Sequence, residues 1–122
     1  MPVVAVIGAS TDRGKFGNKA LRAFRHQGYT VVPINPNASR VEGVRAYASV
    51  LDYPGTIDEA TVYVPPELGA PLMDEIARKG IQTVWLNPGA DGPAVIARAR
   101  ALGLAPRLAC SILGIGESPG DY

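Results

Sequence analysis

A glycine-rich segment that follows an apolar run is the part of this sequence best suited to chemistry. Residues 3–7 carry no polar side chain, and Gly8, Gly14 and Gly17 follow them. Glycine lets a backbone turn sharply and approach a ligand closely. Where such a turn leads from a strand into a helix, free N–H groups and the positive end of the helix dipole point at one place. The segment predicts a phosphate-binding turn, and a plain tight turn is the competing interpretation.

Side chains that perform covalent or metal chemistry are scarce. The sequence has one histidine, His26, and one cysteine, Cys110, far apart along the chain. The two offer too few ligands for a zinc site, so we expect no metal. One cysteine excludes an internal disulfide and fits a reducing compartment. No nucleophile is accompanied by a plausible general base, which favours a ligand-binding protein over an enzyme.

Composition and charge indicate one small soluble domain. The chain has 122 residues, of which 47% are hydrophobic and 19% charged, and its formal net charge is +1. Mixed charges give no electrostatic reason to bind nucleic acid or an anionic membrane. No apolar run approaches the roughly 20 residues of a membrane span, and no signal-peptide pattern is present. We therefore expect a cytoplasmic protein.

Alternating strands and helices must position the glycine turn. The apolar patterns predict strands over residues 3–7, 29–34, 60–64, 83–86 and 104–109, and helices over residues 15–27, 68–80 and 93–102. Residues 38–54 are expected to form a loop with a short helical turn that Ser49 caps. Two prolines, Pro33 and Pro106, favour edge positions for the second and fifth strands.

This alternation predicts an α/β domain over residues 1–113. We expect a Rossmann-like, doubly wound, five-stranded and mainly parallel sheet of order 3-2-1-4-5, with helices on both faces. Residues 114–122 hold three glycines and a proline and are expected to be a flexible tail. In such sheets, ligands bind beyond the carboxyl ends of the strands. The loops expected there are residues 8–17, 35–40, 65–66, 87–89 and the region of Cys110.

Two common nucleotide sites fit these loops poorly. A Walker A loop needs four residues between its first glycine and its Gly-Lys pair, whereas five separate Gly8 from Gly14, and Phe16 stands where the hydroxyl should be. An NAD site needs an acidic residue after the second strand, and Asn35 is found there. NADP stays open as an alternative because Arg40 could meet its 2′-phosphate.

An ordered set of short segments resembles the small CoA-binding domain proteins. These segments are Gly8-Ala9-Ser10, Gly28-Tyr29, Pro33-Ile34-Asn35-Pro36, Gly43 with Tyr47, Val64-Pro65-Pro66, Trp85-Leu86-Asn87 with Gly89, and Cys110. A similar domain forms the N-terminal part of the succinyl-CoA synthetase alpha subunit, and Tyr63-Val64-Pro65 looks like its CoA-packing segment. The resemblance implies coenzyme A or acyl-CoA as the ligand.

The resemblance also implies roles for the residues of the first loop. Gly8, Ala9, Ser10 and Arg13 would line the phosphate end of CoA, where backbone N–H groups and the helix dipole would face the pyrophosphate. Lys15 would add positive charge nearby. These five residues are the expected phosphate site.

In the second loop, Asn35 and Pro36 would border the adenosine of CoA. The synthetases carry a lysine just beyond this turn, where this chain has Ala38. Arg40 is the nearest base and is therefore the expected partner of the 3′-phosphate.

The remaining loops would follow the rest of the ligand. Val64 and Pro65 would cover the adenine or the start of the pantetheine arm, and Leu86, Asn87 and Gly89 would lie farther along that arm. An apolar rim with a few placed polar groups suits an amphipathic ligand of this kind.

The resemblance favours a non-catalytic sensor, carrier or regulatory module for CoA or acyl-CoA. The synthetase reaction needs a phosphorylated histidine, whereas His26 lies near the end of the first helix, and Pro88 stands in place of the synthetase's acidic residue. An NADP-binding oxidoreductase-like domain and a regulatory subunit of a separate acyl-CoA synthetase are the alternatives. A homodimer or a larger synthetase-like partner is left open.

Cys110 supports two interpretations. Its thiol could face the thiol of CoA and form a mixed disulfide under oxidation. Free cysteine is more often a small buried apolar residue, and we favour that interpretation.

Overall fold

The computed structural model describes residues 2–122, and its centre is a five-stranded parallel sheet. The seven strands are β1 (Val3–Ile7), β2 (Thr30–Ile34), β3 (Arg40–Val41), β4 (Val44–Arg45), β5 (Glu59–Val62), β6 (Thr83–Leu86) and β7 (Ala105–Leu108). The sheet has the order β2-β1-β5-β6-β7, while β3 and β4 form a separate antiparallel hairpin. The predicted α/β, doubly wound, parallel architecture is confirmed.

Helices cover both faces of the sheet, as the sequence predicted. They are α1 (Phe16–His26), α2 (Pro66–Lys79), α3 (Pro93–Ala101) and α4 (Ser111–Gly114). In β1, Val4 and Val6 pack on the side of α1 and α4, whereas Ala5 and Ile7 pack on the side of α2 and α3. Successive strand residues point to opposite faces, so an unbroken apolar strand is what a doubly covered sheet requires.

The strand order differs from the predicted 3-2-1-4-5. Counted along the chain, the five sheet strands lie in the order 2-1-3-4-5, because β5 pairs with β1. The position expected for the third strand, beyond β2, holds only a single parallel bridge between Ile34 and Tyr47. Just after this bridge, Ser49 caps a 3₁₀ turn over Val50–Asp52. Between β2 and β5 the chain forms the β3–β4 hairpin and this 3₁₀ turn but no α-helix. It then returns, and β5 pairs with β1 on the side opposite β2.

Both edge strands contain a proline, as expected. The amide of Ala105 donates to Gln82 on the β6 side, so the next position, Pro106, would direct an N–H away from the sheet. Thr30 donates toward the β1 side, which places Pro33 outward in the same way. A missing N–H on an outer edge costs the sheet no ladder bond and discourages strand addition.

Residues 114–122, expected to be a loose tail, lie against α1. After α4 the chain forms a 3₁₀ turn over Pro119–Asp121. The Lys19 ammonium on α1 donates to the Pro119 carbonyl at 3.4 Å. The guanidinium of Arg22, also on α1, lies 5.6 Å from the centre of the Tyr122 ring. These contacts tie the segment to the helix that follows the glycine turn.

Candidate functional site

The loops predicted to bind a ligand meet at the carboxyl ends of β1 and β5. These strands are neighbours in the sheet but are separated along the chain by β2 and the hairpin. In a doubly wound sheet of order 2-1-3-4-5, the switch point lies between the first and third strands, and ligands bind there. The glycine turn follows β1, and Tyr63 and Val64 follow β5, so both border this switch point.

The glycine turn brings the start of α1 directly onto the end of β1. Gly8 has φ +89°, in the left-handed region that favours glycine. A Cβ on Gly8 would lie 3.1 Å from the carbonyl carbon of Tyr63, and a Cβ on Gly17 would lie 2.2 Å from the Gly8 oxygen. Glycines at these two positions therefore allow strand, helix and neighbouring loop to touch.

The first turn of α1 is suited to an anion. Lys15 is its N-cap residue and makes no side-chain capping bond, and the first turn contains no acidic residue. The first N–H groups of a helix have no partner within it, and the helix dipole adds positive charge at that end. The Lys15 side chain lines the adjoining clefts, so the site combines free backbone donors with a cation.

Two buried or half-buried asparagines hold the glycine turn in shape. The Asn35 amide nitrogen donates to the Ala9 carbonyl at 2.8 Å, and the Asn18 amide nitrogen donates to the Ser10 carbonyl at 2.8 Å. Arg22 in turn donates to Asn18 at 2.7 Å. Asn18 is fully buried and was missed by the sequence analysis, although a polar residue within the apolar stripe of α1 was the available signal.

Two clefts open on this edge of the sheet. The Cys110 cleft has a volume of about 780 Å³ and is bordered by Phe16, Pro88, Ala90, Cys110 and Pro119 among others. The Asn35 cleft has a volume of about 540 Å³ and is bordered by residues of the β2 loop and of α2. Four residues line both clefts: Gly8, Lys15, Tyr63 and Val64. The clefts therefore meet beside the first turn of α1.

Most of the predicted site residues line these clefts. Those at the Cys110 cleft are Gly8, Lys15, Val64, Pro65, Asn87 and Gly89. Those at the Asn35 cleft are Gly8, Ala9, Ser10, Lys15, Asn35, Pro36 and Val64. The structure thus gathers ten of the thirteen residues that the sequence singled out, although they come from four separate loops.

Three predicted residues lie outside the cleft linings. Arg13 pairs with Glu42 at 2.6 Å, and Glu42 stands in the hairpin turn with φ +50°. Arg40 donates to the Gly43 carbonyl at 3.0 Å in the same hairpin. Leu86 is buried in the core at the end of β6. The hairpin was not predicted. Arg40 is part of it, and Arg13 pairs with its turn.

Asn87 is the centre of a buried hydrogen-bond network. Its amide nitrogen donates to Thr61 Oγ1 at 2.7 Å and to the Val62 carbonyl at 2.9 Å. Its oxygen accepts from the Ser111 amide at 2.8 Å. The side chain is therefore fully engaged with protein groups, and it fixes the turn that carries Cys110 at the rim of the cleft.

Tyr63 forms a neutral wall where the two clefts meet. Its hydroxyl lies 3.1 Å from Ser111 Oγ, which is itself 2.7 Å from Thr61 Oγ1. Burial raises the pKa of the Tyr63 phenol above 10.0, and hydrogen bonds from Ser111 and Thr61 oppose this shift. The ring therefore presents an uncharged surface to a ligand at neutral pH.

The sequence of this chain matches a known ligand-binding family. The sequence pattern of the CoA-binding domain family matches residues 2–113. The chain belongs to the CoA-binding domain family. Coenzyme A is thus the ligand that this family predicts, and the predicted resemblance is confirmed.

The relatives of this CoA-binding domain include parts of larger ligases. An ADP-forming acetate–CoA ligase II of Archaeoglobus fulgidus is 38% identical over 81 residues, which are 65% of this chain and 12% of the ligase. The alpha subunit of an ADP-forming acetate–CoA ligase II of Pyrococcus furiosus is 38% identical over 82 residues, which are 66% of this chain and 18% of that subunit. The chain thus matches less than a fifth of the length of either relative.

A solved structure of similar size shares the fold. A conserved hypothetical protein from Pyrococcus furiosus superposes with a TM-score of 0.84 and 27% identity. The alignment covers 93% of this chain and 99% of that protein. The fold therefore also occurs in a protein that contains little beyond this domain.

The two clefts fit the chemistry of CoA. The ligand carries a pyrophosphate between a flat adenosine and a long pantetheine arm. In the CoA-binding domain, the glycine turn lies between two clefts, because Gly8 and Lys15 border both. The side chains of Phe16, Val64 and Pro119 give the Cys110 cleft a largely apolar lining. Placed polar groups and apolar walls are what an amphipathic ligand requires.

The described residues contain neither a metal-ligand cluster nor a membrane-spanning helix. Within residues 2–122, no three or more histidine, cysteine or acidic side chains cluster as metal ligands would. None of the helices in this part of the chain has both the length and the apolar character needed to cross a bilayer. His26 is exposed in the last turn of α1, at the helix end opposite the glycine turn.

Proposed function

We propose that this chain is a non-catalytic module that binds CoA or acyl-CoA along the two joined clefts and serves as a sensor, carrier or regulatory domain. The observation that carries the proposal is the meeting of the clefts at Gly8 and Lys15, beside the uncapped start of α1. A ligand with phosphates in its middle and dissimilar groups at its ends fits this arrangement. CoA has that structure.

The orientation of the ligand follows from the linings of the clefts. The Asn35 cleft is bordered by Asn35, Pro36 and Leu68, a mixed surface that suits a nucleoside. The Cys110 cleft is bordered by Phe16 and Pro119, an apolar surface that suits the pantetheine arm. We therefore place the adenosine in the Asn35 cleft and the thiol toward Cys110.

A role beside a synthetase chain is a second candidate. The support is the alpha subunit of the Pyrococcus furiosus ligase, in which the matching segment occupies 18% of the subunit. In this version of the proposal, the chain supplies CoA to a larger partner, and the partner holds the catalytic residues. Copurification with such a partner would distinguish the two versions.

An NADP-binding domain is the alternative from another functional class. The Asn35 side chain, which follows β2, donates to Ala9 and accepts from the Asn37 amide at 2.7 Å. A dinucleotide site uses this position for the ribose, and here its polar atoms are already paired within the protein. This engagement disfavours a ribose contact at Asn35, and the match to the family favours CoA over NADP.

Calorimetric titration of CoA, 3′-dephospho-CoA, NADP and NAD tests the proposal. Saturable binding of CoA is the expected result, and binding of NADP alone would contradict it. We propose that the Arg40 guanidinium leaves the Gly43 carbonyl for the 3′-phosphate when CoA binds, so Arg40→Ala should weaken CoA by about tenfold, roughly 1.4 kcal/mol, and leave dephospho-CoA unchanged. The matched control is Arg45→Ala, opposite Arg40 in the hairpin. Equal losses for both ligands would remove Arg40 from the 3′-phosphate site.

A further inference from the structure

The segment after α4 borders the same cleft as Gly8, Lys15 and Val64. Pro119 lines the Cys110 cleft, together with Phe16 and Cys110, and does not line the Asn35 cleft. The match to the family ends at residue 113, so residues 114–122 lie outside it. This part of the cleft is therefore formed by residues outside the region that matches the family.

Lys19 connects two apolar residues that border this cleft. Its ammonium donates to the Pro119 carbonyl at 3.4 Å and lies 5.6 Å from the centre of the Phe16 ring. Phe16 is the first residue of α1 and is 53% exposed, a large fraction for an aromatic side chain. Phe16 and Pro119 thus flank the cleft with Lys19 between them.

One contact within the segment, one with the α1 C-cap residue Gln27 and one with α1 itself hold it in place. The Tyr122 hydroxyl donates to Glu117 Oε1 at 2.7 Å, and the Gln27 side chain donates to the other oxygen of Glu117. The Arg22 guanidinium lies over the Tyr122 ring at 5.6 Å, within range of a cation–π attraction. Arg22 also donates to the Arg13 carbonyl at 3.0 Å, inside the glycine turn. One side chain therefore contacts both the segment and the anion-binding loop.

We infer that residues 117–122 form a wall whose Pro119 contacts the pantetheine arm of CoA and that leaves the nucleotide untouched. This inference rests on the proposed function, because the orientation of CoA places its arm in the Cys110 cleft. The segment should then contribute to the affinity for CoA but not to the affinity for adenosine 3′,5′-bisphosphate, which lacks the arm. By linkage, CoA should in turn order the segment.

Calorimetry with both ligands tests this wall directly. Pro119→Ala removes the ring and keeps the carbonyl that Lys19 contacts, while Tyr122→Ala removes the ring that Arg22 covers. Each should weaken CoA about fivefold and leave the bisphosphate unchanged. The matched control is Leu113→Ala, which removes an exposed apolar side chain of α4 that borders neither cleft. It should bind both ligands as the unaltered protein does.

Hydrogen exchange supplies an independent readout in the unaltered chain. CoA should slow amide exchange in residues 117–122, and the bisphosphate should not. If both variants keep the ratio of CoA affinity to bisphosphate affinity of the unaltered protein, the inferred contact with the pantetheine arm is wrong. The proposed function would not be affected by that result. Failure of the unaltered protein to bind CoA would overturn the proposed function and, with it, this inference.

Discussion

A Cβ atom on Gly17 would lie 2.2 Å from the carbonyl oxygen of Gly8 and 3.0 Å from its carbonyl carbon. Both obstacles are backbone atoms, so no side-chain rotation could relieve the contact. The absence of a side chain at Gly17 is what lets the first turn of α1 approach the end of β1. The geometry of the glycine turn therefore depends on a hydrogen at Gly17 in place of a methyl group.

Gly17→Ala should separate α1 from β1. We expect the free energy of unfolding to fall by about 1–3 kcal/mol, the usual cost of overpacking, despite alanine's better helix propensity. Urea unfolding measures this change, and CoA affinity should fall with it. Gly14→Ala is the matched control, because its new Cβ would meet only the Asp12 carboxylate, at 3.3 Å. Equal stability of the two variants would contradict the packing argument.

Asn87→Ala should destabilise the fold through the partners it leaves behind. Thr61 Oγ1 retains Ser111, but the Val62 carbonyl and the Ser111 amide lose an interaction in a buried site. Each buried polar group left unpaired costs about 1–3 kcal/mol, so we expect a loss of about 3 kcal/mol in the free energy of unfolding. Thermal or urea unfolding would show it.

The control for this substitution is Asn37→Ala. Asn37 is exposed in the loop after β2 and should change stability by less than about 0.5 kcal/mol. Equal free energies of unfolding in the two asparagine variants would show that the network around Asn87 does not stabilise the fold.

Lys15→Ala should weaken CoA without disturbing the fold. Lys15 is exposed and borders both clefts, so its charge acts on the ligand rather than on the core. A loss of about tenfold in affinity is expected, together with a weaker dependence of binding on salt. Arg100→Ala removes an equal charge from the exposed surface of α3 and should leave affinity unchanged. Equal losses in the two variants would indicate a general effect of charge.

Glu117 should make the contact between residues 117–122 and α1 sensitive to acid. Hydrogen bonds from Tyr122 and Gln27 hold the pKa of Glu117 below its ordinary value of 4.5, and the charge of nearby His26 lowers it further. Because the folded pKa is depressed, the stabilisation is present above the ordinary value and is lost as pH falls through the folded value. NMR titration of the Glu117 carboxyl should show a midpoint below 4.5.

Glu117→Gln provides the comparison for that titration. It should remove the acid-dependent shift of the Tyr122 signals and keep a hydrogen-bond acceptor at the same place. A Glu117 midpoint at or above the ordinary value would show that these contacts do not form in solution.

Local patterns were enough to predict the elements around the site. The apolar run before Gly8, the strand over Thr83–Leu86 and the helix that begins at Pro93 were all visible in the sequence and are confirmed. Each of these features depends on neighbouring residues, which share an element and therefore a periodicity. The family was also recognisable, because its short segments occur in order along the chain.

Features that depend on distant partners could not be predicted. Arg13 pairs with Glu42, which is 29 residues away, in a hairpin whose strands are too short to show an alternating pattern. Asn87 forms hydrogen bonds with Thr61 and Ser111, which are 26 and 24 positions away along the chain. The sequence therefore predicted only its contact with the ligand and not its structural role. The position of β5 likewise depends on its pairing with β1, which lies far away along the chain.

Amide chemical shifts recorded while CoA is added to the isotopically labelled chain test the central claim most directly. The account predicts the largest shifts along the joined clefts, at Gly8, Lys15, Asn35, Val64 and Gly89. Residues at the opposite end of the sheet, where Tyr29, Glu59 and Arg107 line a separate polar pocket, should not shift. Largest shifts in that pocket, or no saturable shifts at all, would contradict CoA binding at the switch point between β1 and β5.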